Sequence, residues 1–392
     1  MRLIHTSDWH LGRSFHQVGL LGAQAAYLDH LVEVCRRERV DAVLVSGDVY
    51  DRAMPAPDTV ALLSEGVERI IDTGARVVLS SGNHDSAIRL GFAAGLLERA
   101  GLHIRTGLAA VGRPVLLDDV AIYPLPYLEP ALAADPLAAT ERTHAGVLRA
   151  AMDRVRADRS GAGLARVVMA HAFVTGGVGS DSERDISSGG VAAVPPEVFA
   201  GVDYVALGHL HGRQQVADAV RYSGSPVAMS FSEATHVKGS WLVELGPRGL
   251  GAVEHVAAPV ERPLAVLRGD LETLLTDPRH TAAESAWCHV TLTDPVRPAG
   301  AMDRVRRRFP HALALEFAPQ GAPVHVRSYA ARVAQRADLD VCCDFLGHVR
   351  GGRTATDDER ALLAEALESS RVARAVGDDE GVALVPAAEG AA

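Results

Sequence analysis

With 392 residues and 48% hydrophobic composition, the chain has material for two or three domains with substantial cores, and its formal charge of −10 excludes a uniformly basic nucleic-acid coat. The four cysteines, Cys35, Cys288, Cys342 and Cys343, contain no CxxC pair and so argue against both a disulfide framework and a cysteine zinc site. No run approaches the length of a membrane span and MRLIHTSDWH lacks the apolar region of a signal peptide, so a cytoplasmic protein is expected.

In chain order, Leu3 and Ile4 begin a short strand ending in Thr6, Ser7, Asp8, Trp9 and His10, where extended backbone would aim Asp8 and His10 the same way. A helix over Ala23 to Arg37 shows Ala26, Leu28, Leu31, Val32 and Cys35 on one apolar face; a buried strand from Ala42 to Val45 then runs into Gly47 and Asp48. Pro57 starts a second helix, reaching Asp72. The stretch VVLSSGNHD, Val77 to Asp85, changes from apolar residues to a flexible backbone, an amide, an imidazole and a carboxylate. Ser86 to Arg99 reads as helix, Val111 to Leu125 as a hairpin turning at Asp118 and Asp119, and Glu141 to Arg156 as helix. Arg166 to Phe173 is a strand interrupted at its end by His171, and Val202 to Leu207 leads directly into Gly208, His209, Leu210 and His211.

Between those two strands, Thr175 to Val191 reads as a mobile loop, either plain solvent loop or substrate-facing lid, with Arg184 its most interesting member. The pieces VRYSGSP, AMSFSE and GSWLVEL suggest short antiparallel strands that complete a first domain over 1–260. Leu264 to Leu267, Trp287 to Leu292 and Ala312 to Phe317 read as strands separated by helices near Leu271 and from Met302 to Phe309, a small βαβαβ domain over 261–328. Arg304, Arg307 and Arg308 share one helical face while Met302, Val305 and Phe309 pack inward; such a row is usually a solvated face, and it can also guide phosphates. In a helical segment over 329–376, Leu339, Cys342, Phe345, Leu346 and Val349 recur at helical spacing and Thr356 with Glu359 forms a capping box. These stripes suit either their own domain or a partner helix, and 377–392 reads as a disordered tail.

Asp8, His10, Asp48, Asn83, His84, His171, His209 and His211 all lie at strand ends, and strand carboxyl ends in α/β sheets converge on one crevice. A solitary DxH or GD is more often a turn; the grouping is what distinguishes this set, since His16, His30, His103, His144, His236 and His255 lack it and His5 fits an ordinary core histidine. Oxygen and nitrogen donors with no thiolate fit two hard or borderline cations sharing a carboxylate, manganese before structural zinc. Two cations roughly 3.5–4 Å apart would clamp a phosphate ester and activate water. A departing alkoxide also needs a proton or charge stabilisation, for which His84 is the candidate.

DxH at Asp8 to His10, GD at Gly47 to Asp48, GNHD at Gly82 to Asp85, His171, and GHxH at Gly208 to His211 together resemble the calcineurin-like metallophosphoesterases. Within them, GDVYD at Gly47 to Asp51, GNHDS at Gly82 to Ser86, SDSER at Ser180 to Arg184 and YSGSP at Tyr222 to Pro226 are similar to the bacterial SbcD-type nuclease subunits. The resemblance implies an α/β fold: a two-sheet β-sandwich flanked by helices, with a small α+β cap domain and C-terminal helices. It implies one metal on Asp8, His10, Asp48 and His211, and a second on Asp48, Asn83, His171 and His209. His84 would act on the leaving oxygen, and Asp85 would orient it or support its loop. Asp51 stands where related nucleases outside bacteria often carry a second histidine. Further implications are 3′ to 5′ exonuclease action on duplex ends, endonuclease action on single-stranded and hairpin DNA, an SbcC-like ATPase partner bound by the carboxy-terminal helices, and a homodimer within a heterotetramer. The alternative is a phosphodiesterase or phosphatase of small nucleotides or phosphomonoesters, which would use the same metals; the added domain and helices favour DNA. A non-enzymatic adaptor is disfavoured by the complete donor set.

Overall fold

The computed structural model describes residues 1–184, 193–246, 249–320 and 337–379. In its first part the order is β1 (Arg2–Thr6), α1 (Leu21–Glu38), β2 (Ala42–Ser46), α2 (Pro57–Ile71), β3 (Arg76–Ser80) and β4 (Leu102–Arg105), with all four strands parallel. Both faces of these strands are covered, which explains their near-continuous apolar runs. Leu3, Leu44 and Val78 point into the layer between two sheets, whereas Ile4, Val43, Val45, Val77 and Leu79 pack with Leu28, Leu31, Leu63 and Ile70 of α1 and α2.

The second sheet begins with β5 (Val115–Leu117) and β6 (Val120–Pro124), an antiparallel hairpin whose turn holds Asp118 at φ 43. It continues past α3 (Pro130–Leu137) and α4 (His144–Ala157) to β7 (Ala165–His171), β8 (Tyr204–Gly208), β9 (Gln214–Ala217) and β10 (Val220–Tyr222), in the order β9-β10-β8-β7-β6-β5. The chain then returns to the first sheet as β11 (Gly239–Gly246) and β12 (Gly249–Ala257), giving β12-β11-β1-β2-β3-β4. Val243 and Leu245 of β11, with Ile122, Val167, Met169, Tyr204 and Ala206, complete the inter-sheet core. The result is an α/β sandwich with helices on its outer faces.

Packing divides the chain into two units, Met1–Val266 with Ser285–Trp287, and Leu267–Glu284 with Cys288–Ala392. The second is built on the sheet β13 (Leu264–Gly269), β14 (Trp287–Leu292) and β15 (Ala312–Phe317), with α5 (Leu271–Thr276) and α6 (Ala301–Arg308) between successive strands. Val305 and Phe309 are fully buried with Leu274 and Val290 in its core. α7 (Asp338–Val349) and α8 (Asp357–Asp379) follow. The capping box starts α8: the Thr356 amide donates to Glu359 Oε2 at 2.9 Å and the Glu359 amide to Thr356 Oγ1 at 3.3 Å. The tail expected over 377–392 begins inside α8, which runs to Asp379, and from residue 380 onward it lies outside the described residues.

Two local readings are corrected. Ser86 to Arg99 is not one helix but two single turns, Ala87–Leu90 and Ala94–Leu97, and a 3₁₀ turn, Glu98–Ala100, with Ala93 between them at φ 57. Ile88, Phe92 and Leu96 are 87, 79 and 70% exposed, so no buried stripe offsets the cost of continuing a helix there. AMSFSE is not a strand: Ser230 accepts a hydrogen bond from the Ser232 amide, and a 3₁₀ turn at Phe231–Glu233 carries Glu233 inward. The described part of the loop expected to be mobile makes hydrogen bonds to its neighbours, with Val178 N–H donating to Gln214 at 2.7 Å and Asp181 N–H to Ser232 at 3.0 Å. Its remainder, 185–191, lies outside the described residues.

Candidate metal centre

Beyond the strand ends of the first sheet, the chains leaving β1 and β2 stay hydrogen-bonded, with the Asp8 amide donating to Gly47 O at 3.1 Å and the His10 amide to Asp48 O at 3.0 Å. From the second sheet, His171 Nδ1 donates to the Ser46 carbonyl at 3.0 Å, and the His209 amide donates to both Asp8 carboxylate oxygens at 3.0 and 3.1 Å. The two sheets are thus stitched together where their polar residues emerge. Asp8, His10, Asp48 and His209 have φ of 53, 43, 49 and 101°, left-handed backbone that only a well-supported site sustains in residues other than glycine. Gly82 is required by close approach, because a Cβ there would collide with the Asp48 amide and carboxylate.

The eight strand-end residues meet in one place. Asp48 Oδ2 lies 3.4 Å from His171 Nε2, 3.5 Å from His10 Nε2 and 4.0 Å from His84 Nε2. His10 Nε2 and His211 Nε2 face each other at 3.1 Å, and Asn83 Oδ1 lies 2.9 Å from His171 Nε2. The His209 ring sits edge-on to His171, with centroids 5.3 Å apart. Three groups have donor atoms close enough to share an ion: Asp8, His10 and His211; His10, Asp48 and His84; and Asp8, Asp48 and His171. A further observation fits the set to divalent cations: every donor is nitrogen or oxygen, and the Nε2 atoms of His10, His84 and His171 converge within 4.0 Å of Asp48 Oδ2.

Electrostatics divide the cluster between groups that favour charge and groups that favour the neutral form. Burial opposes ionisation of Asp48, yet His171, His10 and His84 outweigh it and hold this carboxyl well below the usual range. Burial raises Asp8 to about 6. Burial also works against a charged His171, but Asp48 and Asp8 prevail and raise it to about 9. His209, buried beside His171, is lowered to about 3.

His84 is held differently from the rest. Its amide donates to Asp48 Oδ1 at 2.9 Å and its Nδ1 donates to the Asp51 carbonyl at 2.9 Å. Burial lowers its pKa against the raising effect of Asp48, and the charges of His10 and Arg184 act in the same direction as burial. Asp85 does not hydrogen-bond His84. Its carboxylate accepts from the amides of Val49 at 3.1 Å, Tyr50 at 2.9 Å and Gly82 at 2.9 Å, so it supports the loop, and Asp51 supplies the orienting group. The Asp51 carboxylate in turn lies 3.4 Å from His10 Nδ1 and accepts from Arg13 at 3.2 Å.

Arg184 is exposed. Arg304 pairs with Glu272, and Arg308 donates to Glu284 and to the Leu274 carbonyl, both at 3.0 Å, inside the second unit; Arg307 is exposed. His5 is a core histidine: Nε2 donates to the Leu207 carbonyl at 3.0 Å and Nδ1 accepts from the Tyr204 hydroxyl at 2.9 Å. Sequence reasoning missed the supports of the site. Gln24 donates to the Trp9 and His10 carbonyls at 3.0 and 2.7 Å, and Ser182, Glu233 and Lys238 form a buried chain behind His211. No spacing signal marks these residues; SDSER flagged Ser182 by resemblance only.

Residues 1–213 match the calcineurin-like phosphoesterase family. Residues 260–349 match the SbcD C-terminal domain, described as the type 5 capsule protein repressor C-terminal domain. Among solved structures, TT1561 of Thermus thermophilus is 12% identical with a TM-score of 0.38, covering 65% of this chain and 98% of its own. GAP50, the anchor in the inner membrane complex of Plasmodium, is 11% identical with a TM-score of 0.37, covering 82% and 98%. No helix among the described residues is long and apolar enough to cross a membrane. The chain belongs to the calcineurin-like phosphoesterase family, whose metallophosphoesterase domain implies divalent metal ions and phosphoester hydrolysis, and its two domains together are consistent with an SbcD-type nuclease subunit.

Proposed function

We propose that this chain is the manganese-dependent DNA nuclease subunit of an SbcCD-like complex, serving DNA repair, recombination and replication in the cytoplasm. The observation that carries this reading is the meeting of all the strand-end donors around Asp48, in a chain that continues into an SbcD C-terminal domain. Asp8, His10, Asp48 and His211 hold one ion, and Asp48, Asn83, His171 and His209 hold the other, with Asp48 shared. Bound there, divalent cations supply Lewis-acid stabilisation of the phosphoryl oxygens and activation of water. His84, oriented through Nδ1 by the Asp51 carbonyl, presents Nε2 to the reacting phosphate. The negative charge of a phosphodiester favours the protonated ring, which donates to the departing oxygen.

The substrates in this reading are duplex ends, cut 3′ to 5′, and single-stranded or hairpin DNA, cut internally. Arg184 contacts a phosphate near His84, and the α6 row guides DNA chiefly through Arg307, since Arg304 and Arg308 already have carboxylate partners. Domain boundaries at about 260 and 328 separate nuclease, cap and partner-binding segment. Exposed Phe345, Val349 and Leu362 on α7 and α8 suit a coiled coil of an SbcC-like ATPase, with two nuclease subunits in a heterotetramer. A manganese-supplemented assay comparing hairpin DNA, single-stranded DNA and a cyclic nucleotide, with chelator controls, tests this. Cleavage of both DNAs is expected; turnover of the cyclic nucleotide with no cleavage of DNA would replace it with the small-substrate reading.

A further inference from the structure

Behind His211 lies a chain of buried groups that the hydrolytic reading does not use. Ser182 Oγ is 2.6 Å from His211 Nδ1 and donates to Glu233 Oε1. Glu233, 1% exposed, pairs through Oε2 with Lys238, and Lys238 donates onward to the His211 carbonyl at 2.8 Å and Ser225 at 3.0 Å. A carboxylate only accepts, so the single Ser182 proton points to Glu233 and the Ser182 lone pair faces His211. His211 Nδ1 therefore carries the hydrogen, and Nε2 is the atom turned toward His10. The segment 178–184 also grips the backbone here: Glu183 Oε1 accepts from the His211 amide at 2.7 Å, and Arg13 donates to the Ser182 carbonyl at 3.1 Å. His171 differs, since its outer nitrogen is fixed by the Ser46 carbonyl within a buried strand.

We propose that Ser182 and Glu233 are positioning residues that fix the tautomer and aim of His211, and that through Ser182 the segment 178–184 and one of the two metal positions order each other. This rests on the reading of His211 as a metal ligand. The outer hydrogen bond of a metal-binding histidine fixes its ring and raises its basicity, and its loss typically lowers metal affinity by roughly 10–100-fold. Because the relay reaches only His211, the loss falls on one cation and spares the one held with His171.

The test uses the full chain and manganese alone. Free Mn²⁺ is followed by electron paramagnetic resonance during titration, and amide hydrogen exchange of 178–184 is measured with and without Mn²⁺. Wild type is expected to bind two ions and to slow exchange in 178–184 on binding. Ser182→Ala, which leaves the Glu233–Lys238 pair intact, weakens one site by about 10–100-fold, leaves the other unchanged and abolishes the exchange response. Ser182→Thr keeps the hydroxyl and restores both, while Glu233→Gln repeats the alanine result if it folds. Wild-type affinity at both sites in Ser182→Ala, equal weakening of both, or no exchange response in wild type overturns the proposal. A wild type that binds no Mn²⁺ overturns the metal reading itself.

Discussion

Asp85 offers the sharpest separation between a chemical and an architectural role for a polar residue of the site. Its carboxylate accepts three backbone hydrogen bonds, two at Oδ2 from Val49 and Gly82 and one at Oδ1 from Tyr50. Asp85→Asn keeps the shape but turns one oxygen into a donor. If the amide oxygen takes the Oδ2 position, the new NH₂ faces the Tyr50 N–H and one charge-assisted bond is lost, about 1.5–3 kcal/mol. For a unit of this size that corresponds to a fall in Tm of roughly 3–10 °C. Asp85→Ala leaves three amides without their acceptor, at about 1–3 kcal/mol each, enough to release the loop carrying Asn83 and His84. A shift of about 1 Å in that loop costs on the order of 100-fold in rate. The assay is a comparison of Tm, Mn²⁺ affinity and the pH dependence of kcat in wild type and Asp85→Asn. The expected result is lower Tm, weaker Mn²⁺ binding and lower kcat, with the pH profile retained. A displaced pH profile at unchanged Tm and metal affinity would refute the architectural role and return Asp85 to a direct action on His84.

Further outcomes follow from the same geometry. His84→Ala should lower hydrolysis by about 10²–10⁴-fold yet retain both metals, because its amide bond to Asp48 survives; loss of bound manganese would sink the assignment. Gly82→Ala should abolish manganese binding and hydrolysis, its methyl colliding with the Asp48 carboxylate and amide, and full activity would contradict the packing described. Burial holds His5 near pKa 3 against an unfolded value of about 6.5, so the unfolded chain takes the proton first as pH falls. Stability contributed above pH 6.5 is therefore lost progressively toward pH 3, by up to on the order of 5 kcal/mol. Urea unfolding of the metal-free protein at pH 7 and pH 5 should show a smaller difference in His5→Phe than in wild type; equal differences would reject this. Truncation after Ser328 should preserve hydrolysis of a generic phosphodiester and abolish co-purification with the proposed SbcC-like ATPase, and undiminished co-purification would contradict the proposed C-terminal partner role.

What could be read from the sequence was the part that topology translates directly. A parallel strand delivers its last residue to a known edge, so Asp8, Asp48, Asn83, His171 and His209 could be gathered before any contact was visible. The supports were hidden because their partners are distant and chemically ordinary: Ser182 and Glu233 are 51 positions apart. Likewise GNHD shows a histidine beside a carboxylate, but only the fold reveals that Asp85 turns back to Val49, Tyr50 and Gly82 while a main-chain oxygen of Asp51 holds the ring. Ser86 to Arg99 misled for a different reason. Its apolar residues suit a helix, but Ile88, Phe92 and Leu96 face outward in this unit, and pattern alone carries no record of which side is covered.

The four left-handed positions, Asp8, His10, Asp48 and His209, set a direction for how this lineage can decay. At each of them a backbone that glycine adopts most readily carries a side chain instead, and the carboxylates of Asp8 and Asp48 also accept the His209 and His84 amides and so hold the structure. Where selection for hydrolysis relaxes and selection for a durable fold remains, drift toward glycine runs downhill only at His10 and His209, whose rings hold no backbone group. A descendant kept only as a scaffold would therefore lose those two rings first and keep both carboxylates, with its sheets intact.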